Sequence, residues 1–329
     1  MINKADYIVS LVGKNPMPSF ITVLNYLGYK PKIFLVHTEK SEKNIGTKKV
    51  AENIKKVLME KNNQLTIELI ECDKSNSKEI DDIVNSIIKS IKEDVLENKK
   101  DEGEIILLLD YSGGTKAMSA VFYERIINFK DNIIRTIVSY VDDKIIKLYS
   151  KSKDVKSLKI EDVFEGESFL IKDIVRLHGY KIKNNSIFNE KIIGKNIDYI
   201  EGTESAKITF ENGNKKQEIQ VNGAAFLPSR GSLVFCFDSK KKNYKDQKLE
   251  LFKIKYYTSK LGGDKGIFLY RANFCKNNKD EDCESKVKCY KEDLENEIVR
   301  LYDYEMRDRC HLINKNMSFE ETIKIISKL

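Results

Sequence analysis

The first 150 residues alternate between short apolar blocks and longer segments with helical spacing. The blocks YIVSLVG, KIFLVHT, LTIELIEC and EIILLLD are separated by stretches such as TKKVAENIKKVLMEK, whose apolar residues recur every three or four positions. Continuous apolar blocks are typical of strands buried on both faces, and helices between such strands indicate parallel connections. The sequence therefore predicts an α/β fold with a doubly wound, Rossmann-like parallel sheet, closed by IIRTIVSYVDD and KIIKLYS as a pair of strands.

The second half has a different texture, with strand-like stretches such as AKITFENG, GSLVFCF and GIFLYRANF mixed with helical ones. A chain of 329 residues with 41% apolar content can bury two moderate cores, which favours two domains. We expect a first domain over 1–152, a largely helical connector over 153–200 and a mixed-sheet domain over 201–329.

Composition excludes some classes of protein. No apolar run approaches the ~18 residues of a membrane span, and the N-terminus lacks a small-residue cleavage site, so we expect a cytoplasmic protein without a membrane partner. Cys275, Cys283 and Cys289 lack the C-x2-C spacing of zinc sites, and a charged insertion is the favoured interpretation there. The net charge of +7 suits a polyanionic partner, although solvated lysine-rich faces are commoner.

Two glycines and a lysine follow the strand IILLL in the stretch DYSGGTKAM. Ligands of open parallel sheets bind beyond the carboxyl ends of the strands, and amides at a helix N-terminus favour an anion. The spacing fits neither a P-loop nor a dinucleotide fingerprint. A plain glycine-rich turn with a solvated lysine is the alternative. The candidate ligand-binding residues are Asp110, Ser112, Gly113, Gly114, Thr115 and Lys116.

Two more loops follow strands of the same sheet. GKNPMP contains two of the four prolines of the chain, which stiffen the loop, and Gly13 and Asn15 are suited to left-handed turns. HTEK ends the second strand, and its His37 is assigned no catalytic role. A plain strand-to-helix turn remains an alternative for the first loop. The candidate ligand-binding residues here are Gly13, Lys14, Asn15, Pro16 and Thr38.

Together VGKNPMP, FLVHTEKS and DYSGGTKAM resemble the CARF domain of CRISPR-associated effectors. LHGYKI and KLELFKIKYYTSKLGGDKGIFLY resemble the restriction-endonuclease-like nucleases that accompany CARF domains in type III systems. The resemblance implies a homodimer that binds a cyclic oligoadenylate, such as the tetra-adenylate, in a two-fold cleft. Residues 112–116 would then hold the phosphates and ribose edges of the ring.

The same resemblance implies a D…(D/E)-x-K nuclease site that holds Mg²⁺ or Mn²⁺. FCFDSK supplies Asp238 and Lys240, which share one face of a strand. A solvated charge run at a strand end is the alternative interpretation. The expected first acid falls on Ala224 or Ala225, which cannot bind metal.

Pairing outward from the turn PSRG places Asp238 opposite Val221, with Asn222 adjacent. Asn222 is therefore the candidate replacement for the missing acid, and Asp238 and Asn222 are the candidate metal ligands.

Two functional hypotheses follow. The first is an oligoadenylate-activated, metal-dependent nuclease that cuts DNA or RNA, with the lysine-rich stretch 240–260 contacting phosphates. The second is a nuclease-inactive sensor, or an enzyme that degrades the ring itself. A transcription regulator is disfavoured because no helix-turn-helix pattern is present in the sequence.

Overall fold

The computed structural model of the chain describes residues 4–39, 46–98, 103–142, 145–150, 153–164, 171–182, 188–193, 197–202, 207–212, 215–220, 223–227, 232–239, 247, 249–251, 254, 266–272, 292, 294–300, 309–314, 317, 319–326 and 328. The chain divides into two compact units. The first comprises Met1–Ser168, Arg176–Gly179 and Ser229–Gly231, and the second comprises Phe169–Val175, Tyr180–Pro228 and Ser232–Leu329.

The first unit contains a seven-stranded sheet of order β3-β2-β1-β4-β5-β6-β7. The first five strands are parallel, and β6 and β7 run antiparallel to their neighbours, which confirms the predicted doubly wound sheet and its closing pair. The strands are β1 Tyr7–Leu11, β2 Lys32–Thr38, β3 Ile67–Cys72, β4 Ile105–Asp110, β5 Ile134–Asp142, β6 Ile145–Ser150 and β7 Lys153–Lys159. The helices are α1 Met17–Leu24, α2 Lys48–Lys61, α3 Ser77–Asn98, α4 Lys116–Ile127 and α5 Ile160–Phe164, with a 3-10 turn at Leu27–Tyr29.

Strand β7 lies where the sequence predicted a helical connector to begin. It pairs with β6, with Leu158 opposite Ile146, so the first sheet extends through Lys159. The segment KDVKSLK has few apolar residues, so its alternation is too weak to indicate a strand from the sequence. Helices α5 and α6, Ile171–Leu177, follow it.

One hydrophobic core of the first unit lies between the sheet and helices α3 and α4, and residues of α1 and α2 such as Phe20 and Ile54 are fully buried as well. Helix α3 presents a buried stripe at positions 80, 84, 87, 91 and 95, the spacing of one helical face. Its N-terminus is capped by Asn76, whose side-chain oxygen accepts a hydrogen bond from the Lys78 amide at 3.2 Å. Each buried isoleucine or valine contributes about 1.5–3 kcal/mol, which fixes the sheet under the loops at its edge.

The second unit contains a mixed six-stranded sheet of order β16-β15-β14-β13-β10-β9, which confirms the predicted mixed sheet. Strands β14, β15 and β16 are parallel, and the other pairs are antiparallel. A separate three-stranded sheet, β12-β11-β8, was not predicted. The strands are β8 Tyr180–Ile182, β9 Phe188–Ile193, β10 Ile197–Gly202, β11 Lys207–Asn212, β12 Lys215–Gln220, β13 Gly223–Leu227, β14 Ser232–Asp238, β15 Ile267–Ala272 and β16 Cys310–Asn314, and a C-terminal helix spans Phe319–Ile326.

The described cysteines and helices bear on two expectations from composition. Cys72, Cys236 and Cys310 are buried. The predicted charged insertion that carries the other three cysteines lies outside the described residues. Within the described part of the chain, no helix is long and apolar enough to cross a membrane.

Candidate functional site

The predicted binding loops lie at one edge of the first sheet. Strands β1 and β4 are parallel neighbours, with Ser10 opposite Asp110, so the loops that follow them start side by side. Strand β2 is the other neighbour of β1, and its last residue is Thr38. The topology therefore brings together all three segments that the sequence singled out.

The two glycine-containing loops pack backbone against backbone. A Cβ atom added to Gly113 would lie 2.4 Å from the Gly13 nitrogen and 2.4 Å from the Leu11 carbonyl oxygen. A Cβ added to Gly13 would lie 2.6 Å from the Gly113 carbonyl oxygen. Neither residue has a positive φ, and neither does Asn15, so the expected left-handed turns are wrong. Glycine is required at both positions because the backbones of the two loops approach each other closely. The two loops together form one cradle.

Asp110 anchors this cradle from the inside. Its side chain is fully buried and accepts hydrogen bonds from the Ser10 hydroxyl at 2.7 Å, the Ser112 hydroxyl at 2.5 Å and the Ser112 amide at 3.1 Å. Burial raises the pKa of the Asp110 carboxyl, and the hydrogen bonds from Ser112 and Ser10 oppose that shift. The carboxylate therefore points into the protein, where it holds the loop in place. It does not face the surface that a ligand can reach.

The two hydroxyls of the loop also have partners within the protein. The Ser112 hydroxyl accepts a hydrogen bond from the Val141 amide at 2.8 Å, which ties the loop to β5. Thr115 caps α4: its hydroxyl accepts from the Met118 amide at 3.2 Å and donates to the Lys74 carbonyl at 2.6 Å. Both side chains therefore define the shape of the loop.

The β1–α1 loop is held by a similar local bond. The Asn15 side chain accepts from the Met17 amide at 3.1 Å, and Pro16 precedes the first turn of α1, where its missing N–H costs nothing. The Ser19 hydroxyl donates to the Leu11 carbonyl at 3.3 Å, which ties α1 back to β1.

Thr38 and His37 lie inside the rim. Thr38 is clasped to Thr47 by two hydrogen bonds, from the Thr38 amide to the Thr47 hydroxyl at 2.9 Å and from the Thr47 amide to the Thr38 carbonyl at 3.0 Å. His37 is 2% exposed, and burial lowers its pKa, which favours the neutral imidazole. Lys40, the last residue of the HTEK stretch, lies outside the described residues.

The parts of the cradle that face solvent are basic side chains and backbone amides. Lys14 and Lys116 are exposed. The amides of Lys116 and Ala117 have no acceptor within α4, as at any helix N-terminus, and they carry the positive end of the helix dipole. Such a surface binds phosphate or carboxylate oxygens.

A cavity of about 340 Å³ beside the cradle has the opposite character. Five of its lining residues are acidic: Glu39, Glu71, Asp73, Glu79 and Asp82. Their charges repel phosphate, so the cradle at Lys14 and Lys116, and not this cavity, is the suitable place for an anion.

The predicted nuclease residues are only partly within the described chain. Asp238 is the last residue of β14, whereas Asn222 and Lys240 lie outside the described residues. Strand β13 pairs with β14 with Gly223 opposite Cys236, and the predicted pairing of Val221 with Asp238 would continue this register by two positions.

The position expected for the first acid is filled by core residues. Ala225 is fully buried and belongs to a hydrophobic cluster with Val234 and Cys236 of β14. Within the described part of the chain, no group of three histidine, cysteine or acidic residues could hold a metal ion. The described residues of this face therefore do not fit a divalent cation, because hard cations need several oxygen ligands.

A hydrogen-bonded group next to Asp238 was not predicted from the sequence. The Glu250 carboxylate accepts from the Ser239 hydroxyl at 2.6 Å and from the Tyr270 hydroxyl at 2.7 Å. Burial raises the pKa of Tyr270 well above its usual value, so Tyr270 stays a donor. This group fastens a helical segment to the sheet, because Glu250 lies in a helical segment and Tyr270 lies in β15.

The fold is similar to several solved structures. Protein VC1899 from Vibrio cholerae has a TM-score of 0.65 and 9% identity, over 98% of this chain and 97% of that one. Can2 from Sulfobacillus thermosulfidooxidans, solved in complex with cyclic tetra-adenylate, has a TM-score of 0.58 and 12% identity, over 94% of this chain and 93% of that one. A type III CRISPR defence DNA nuclease activated by cyclic oligoadenylate has a TM-score of 0.53 and 13% identity, over 82% of this chain but 45% of that one.

No protein-family model matches the sequence, and no curated protein matches it. The resemblance to CARF effectors that the loops suggested is confirmed at the level of the fold. The chain has the fold of Can2 over almost the full length of both proteins.

Proposed function

We propose that this protein is a cyclic-oligoadenylate-sensing effector of type III CRISPR defence, which acts in the cytoplasm as a homodimer. The observation that carries the proposal is the cradle formed by the loops after β1 and β4, in which Gly13 and Gly113 lock the backbones together and Lys14 and Lys116 are exposed. Two of the similar structures are those of proteins that bind or respond to a cyclic oligoadenylate.

The chemistry of the ligand matches the cradle. A cyclic oligoadenylate is a closed ring of phosphates, and charged hydrogen bonds from lysine and from helix N-terminal amides satisfy such anions. The ring repeats around its centre, so an isologous pair of chains that presents each loop twice would complement it. Asp110 and Thr38, which are buried, and Ser112 and Thr115, whose hydroxyls bond within the protein, would keep the loops in place. Lys14, Lys116 and the amides of 113–117 would contact the ring.

We further propose that the second unit is a nuclease-like domain for DNA or RNA with weak or absent chemistry. The proposed residues are Asp238, Lys240 and Asn222, with Mg²⁺ or Mn²⁺ held by Asp238 and Asn222. The second candidate is a sensor whose nuclease-like domain only binds. It is favoured because Ala225, at a position where the first acid of the nuclease site is expected, is buried in the hydrophobic core.

Calorimetry with the tetra- and hexa-adenylate rings tests the sensing proposal. We expect saturable binding of one ring to two chains, and no comparable binding of linear oligoadenylate of the same length. If neither ring binds at concentrations up to about 100 μM, corresponding to a binding free energy weaker than roughly −5.5 kcal/mol, the proposal is refuted.

A cleavage assay separates the two candidates for the second unit. DNA and RNA substrates are incubated with Mn²⁺, with and without ring. Ring-dependent cleavage that is lost in Asp238→Ala supports the nuclease, whereas ring binding without any cleavage supports the binding module.

A further inference from the structure

The loop after β3 lies against the cradle, although the sequence did not indicate a site there. The Thr115 hydroxyl, at the N-terminus of α4, donates a hydrogen bond to the Lys74 carbonyl at 2.6 Å. The two residues are 41 positions apart in the chain, so this contact belongs to the tertiary structure. The backbone of Lys74 is therefore fixed close to Lys116, the first residue of α4.

The packing of two helices explains how this loop reaches the cradle. Strand β3 is at the edge of the sheet, three positions from β4, but α3 and α4 lie on the same face and their buried residues share one core. Between them, Arg125 of α4 makes an ion pair with Asp81 of α3. Because both helices follow parallel strands, their N-termini are at the same end, and the loops that precede them meet.

Local hydrogen bonds hold the backbone around Lys74 in place. The Asp73 carboxylate accepts from the Ser75 amide and from the Asn76 amide, both at 2.6 Å. Lys74 lies inside the turn that these bonds close. Less conformational freedom is therefore lost when its side chain binds a ligand.

The Lys74 side chain is exposed where it borders the acidic cavity beside the cradle. Among the described residues, its ammonium group makes no ion pair. A lysine ammonium is a compact point charge on a flexible stem, which is suited to phosphate oxygens. A cation at this position also reduces the repulsion that the carboxylates of the cavity exert on a nearby anion.

The charge of the ligand supplies the reason for a further cation. A tetra-adenylate ring carries one negative charge on each nucleotide, and one chain exposes Lys14 and Lys116 on the loops after β1 and β4. We propose that Lys74 is a third phosphate-binding cation of this site, which extends the cradle to the loop after β3 and shields the ring from the acidic cavity. This inference rests on the proposed function, because the ring is the anion that it names.

Calorimetric titration of the full chain with the tetra-adenylate ring tests the inference. Lys74→Ala should weaken ring binding about 10-fold, the loss of one charged hydrogen bond to phosphate, and Lys74→Arg should retain most of the affinity. The matched control is Lys78→Ala, because Lys78 is exposed in the first turn of α3 and does not line the cavity. We expect the control to bind the ring as tightly as the wild type.

Salt separates a direct contact from a general effect of surface charge. The Debye length falls from about 8 Å at 0.15 M salt to about 3 Å at 1 M, so attraction over longer distances is lost as salt is added. Lys74→Ala should therefore remain the weaker binder at high salt. Its melting temperature should equal that of the wild type, because the variant keeps the carbonyl to which Thr115 donates.

Each outcome decides one claim. Equal ring affinity of the wild type and Lys74→Ala overturns the inference and leaves the sensing function standing. Equal losses in Lys74→Ala and Lys78→Ala that disappear at high salt also overturn it, because they show a general effect of charge. A wild-type chain that binds no ring refutes the sensing function and the inference together. A loss confined to Lys74→Ala, at an unchanged melting temperature, upholds both.

Discussion

Replacing Gly113 by alanine tests the close packing of the two loops. A Cβ at this position would lie 2.4 Å from the Gly13 nitrogen and from the Leu11 carbonyl oxygen. Both are backbone atoms, and Leu11 belongs to a strand that is buried along its whole length, so neither atom moves without displacing β1 or the loop. Overpacking of this kind costs about 1–3 kcal/mol, and we expect the upper part of that range because no flexible side chain can yield.

The expected effect is measurable as heat stability. For a unit of this size, about 2–3 kcal/mol lowers the melting temperature of the first unit by roughly 4–12 °C. Ring affinity should fall as well, since the cradle is displaced. Thermal unfolding followed by circular dichroism, together with calorimetric ring binding, measures both effects.

Two other glycines provide a graded comparison. A Cβ at Gly114 would meet side-chain atoms, Leu11 Cδ1 at 2.7 Å and Ser119 Oγ at 2.8 Å, which can rotate away, so Gly114→Ala should cost less. Gly28 has no atom within 4 Å of an added Cβ, so Gly28→Ala should leave the melting temperature unchanged or slightly raise it. If Gly113→Ala melts within about 1 °C of the wild type and binds ring normally, the described packing of the loops is refuted.

Three further predictions concern charge. Lys116→Ala should weaken ring binding about 10–100-fold, the loss of a charged hydrogen bond, while the exposed Lys89→Ala on α3 should not; equal affinities in calorimetry remove Lys116 from the site. Burial raises the pKa of Asp110 above its usual 3.8, so the folded state binds the proton more tightly than the unfolded chain. The free energy of unfolding therefore decreases as the pH rises from 3.8 through the raised pKa of the folded state. Urea unfolding should therefore show Asp110→Asn gaining stability relative to the wild type as the pH rises above 3.8, and a difference that does not change with pH contradicts this. Asn222→Asp should raise Mn²⁺-dependent cleavage and Asp238→Ala abolish it; a silent Asn222→Asp variant indicates a binding module.

The architecture of the first unit was predictable because its strands are continuous apolar blocks. Four such blocks, separated by helical spacing, indicate a parallel doubly wound sheet, and the position of the loops at its edge follows from that topology. Strand β7 was not predicted, because its sequence KDVKSLK alternates too weakly between apolar and polar residues. Pairing with β6, a tertiary effect, determines its structure.

The candidate site was predictable as a set of segments but not as a set of roles. The glycines, hydroxyls and lysine of DYSGGTK at a helix N-terminus indicated an anion site, yet they did not reveal that Asp110 is buried or that Thr115 caps α4. The inward position of Asp110 depends on a hydrogen bond from Ser10, which is distant in sequence, whereas the cap at Thr115 is a local bond from the Met118 amide. The glycine pair Gly13 and Gly113 likewise acts through a contact between two loops that no local pattern reports.

In the second unit the sequence predicted the pairing of two neighbouring strands but not the number of sheets. The hairpin register of β13 and β14 was predicted by pairing outward from the turn PSRG, and the described pairs agree with it. The small sheet of β8, β11 and β12 was missed, because hydrophobic alternation identifies strands without assigning them to a sheet.

The stoichiometry of ring binding tests the central claim most directly. Isothermal titration of the wild-type chain with cyclic tetra-adenylate, and in parallel with its linear counterpart, reports affinity and the number of rings for each chain. The account predicts tight binding of the cyclic form at one ring for every two chains, and weak binding of the linear form. Absence of binding, or equal affinity for the cyclic and linear forms, would contradict it.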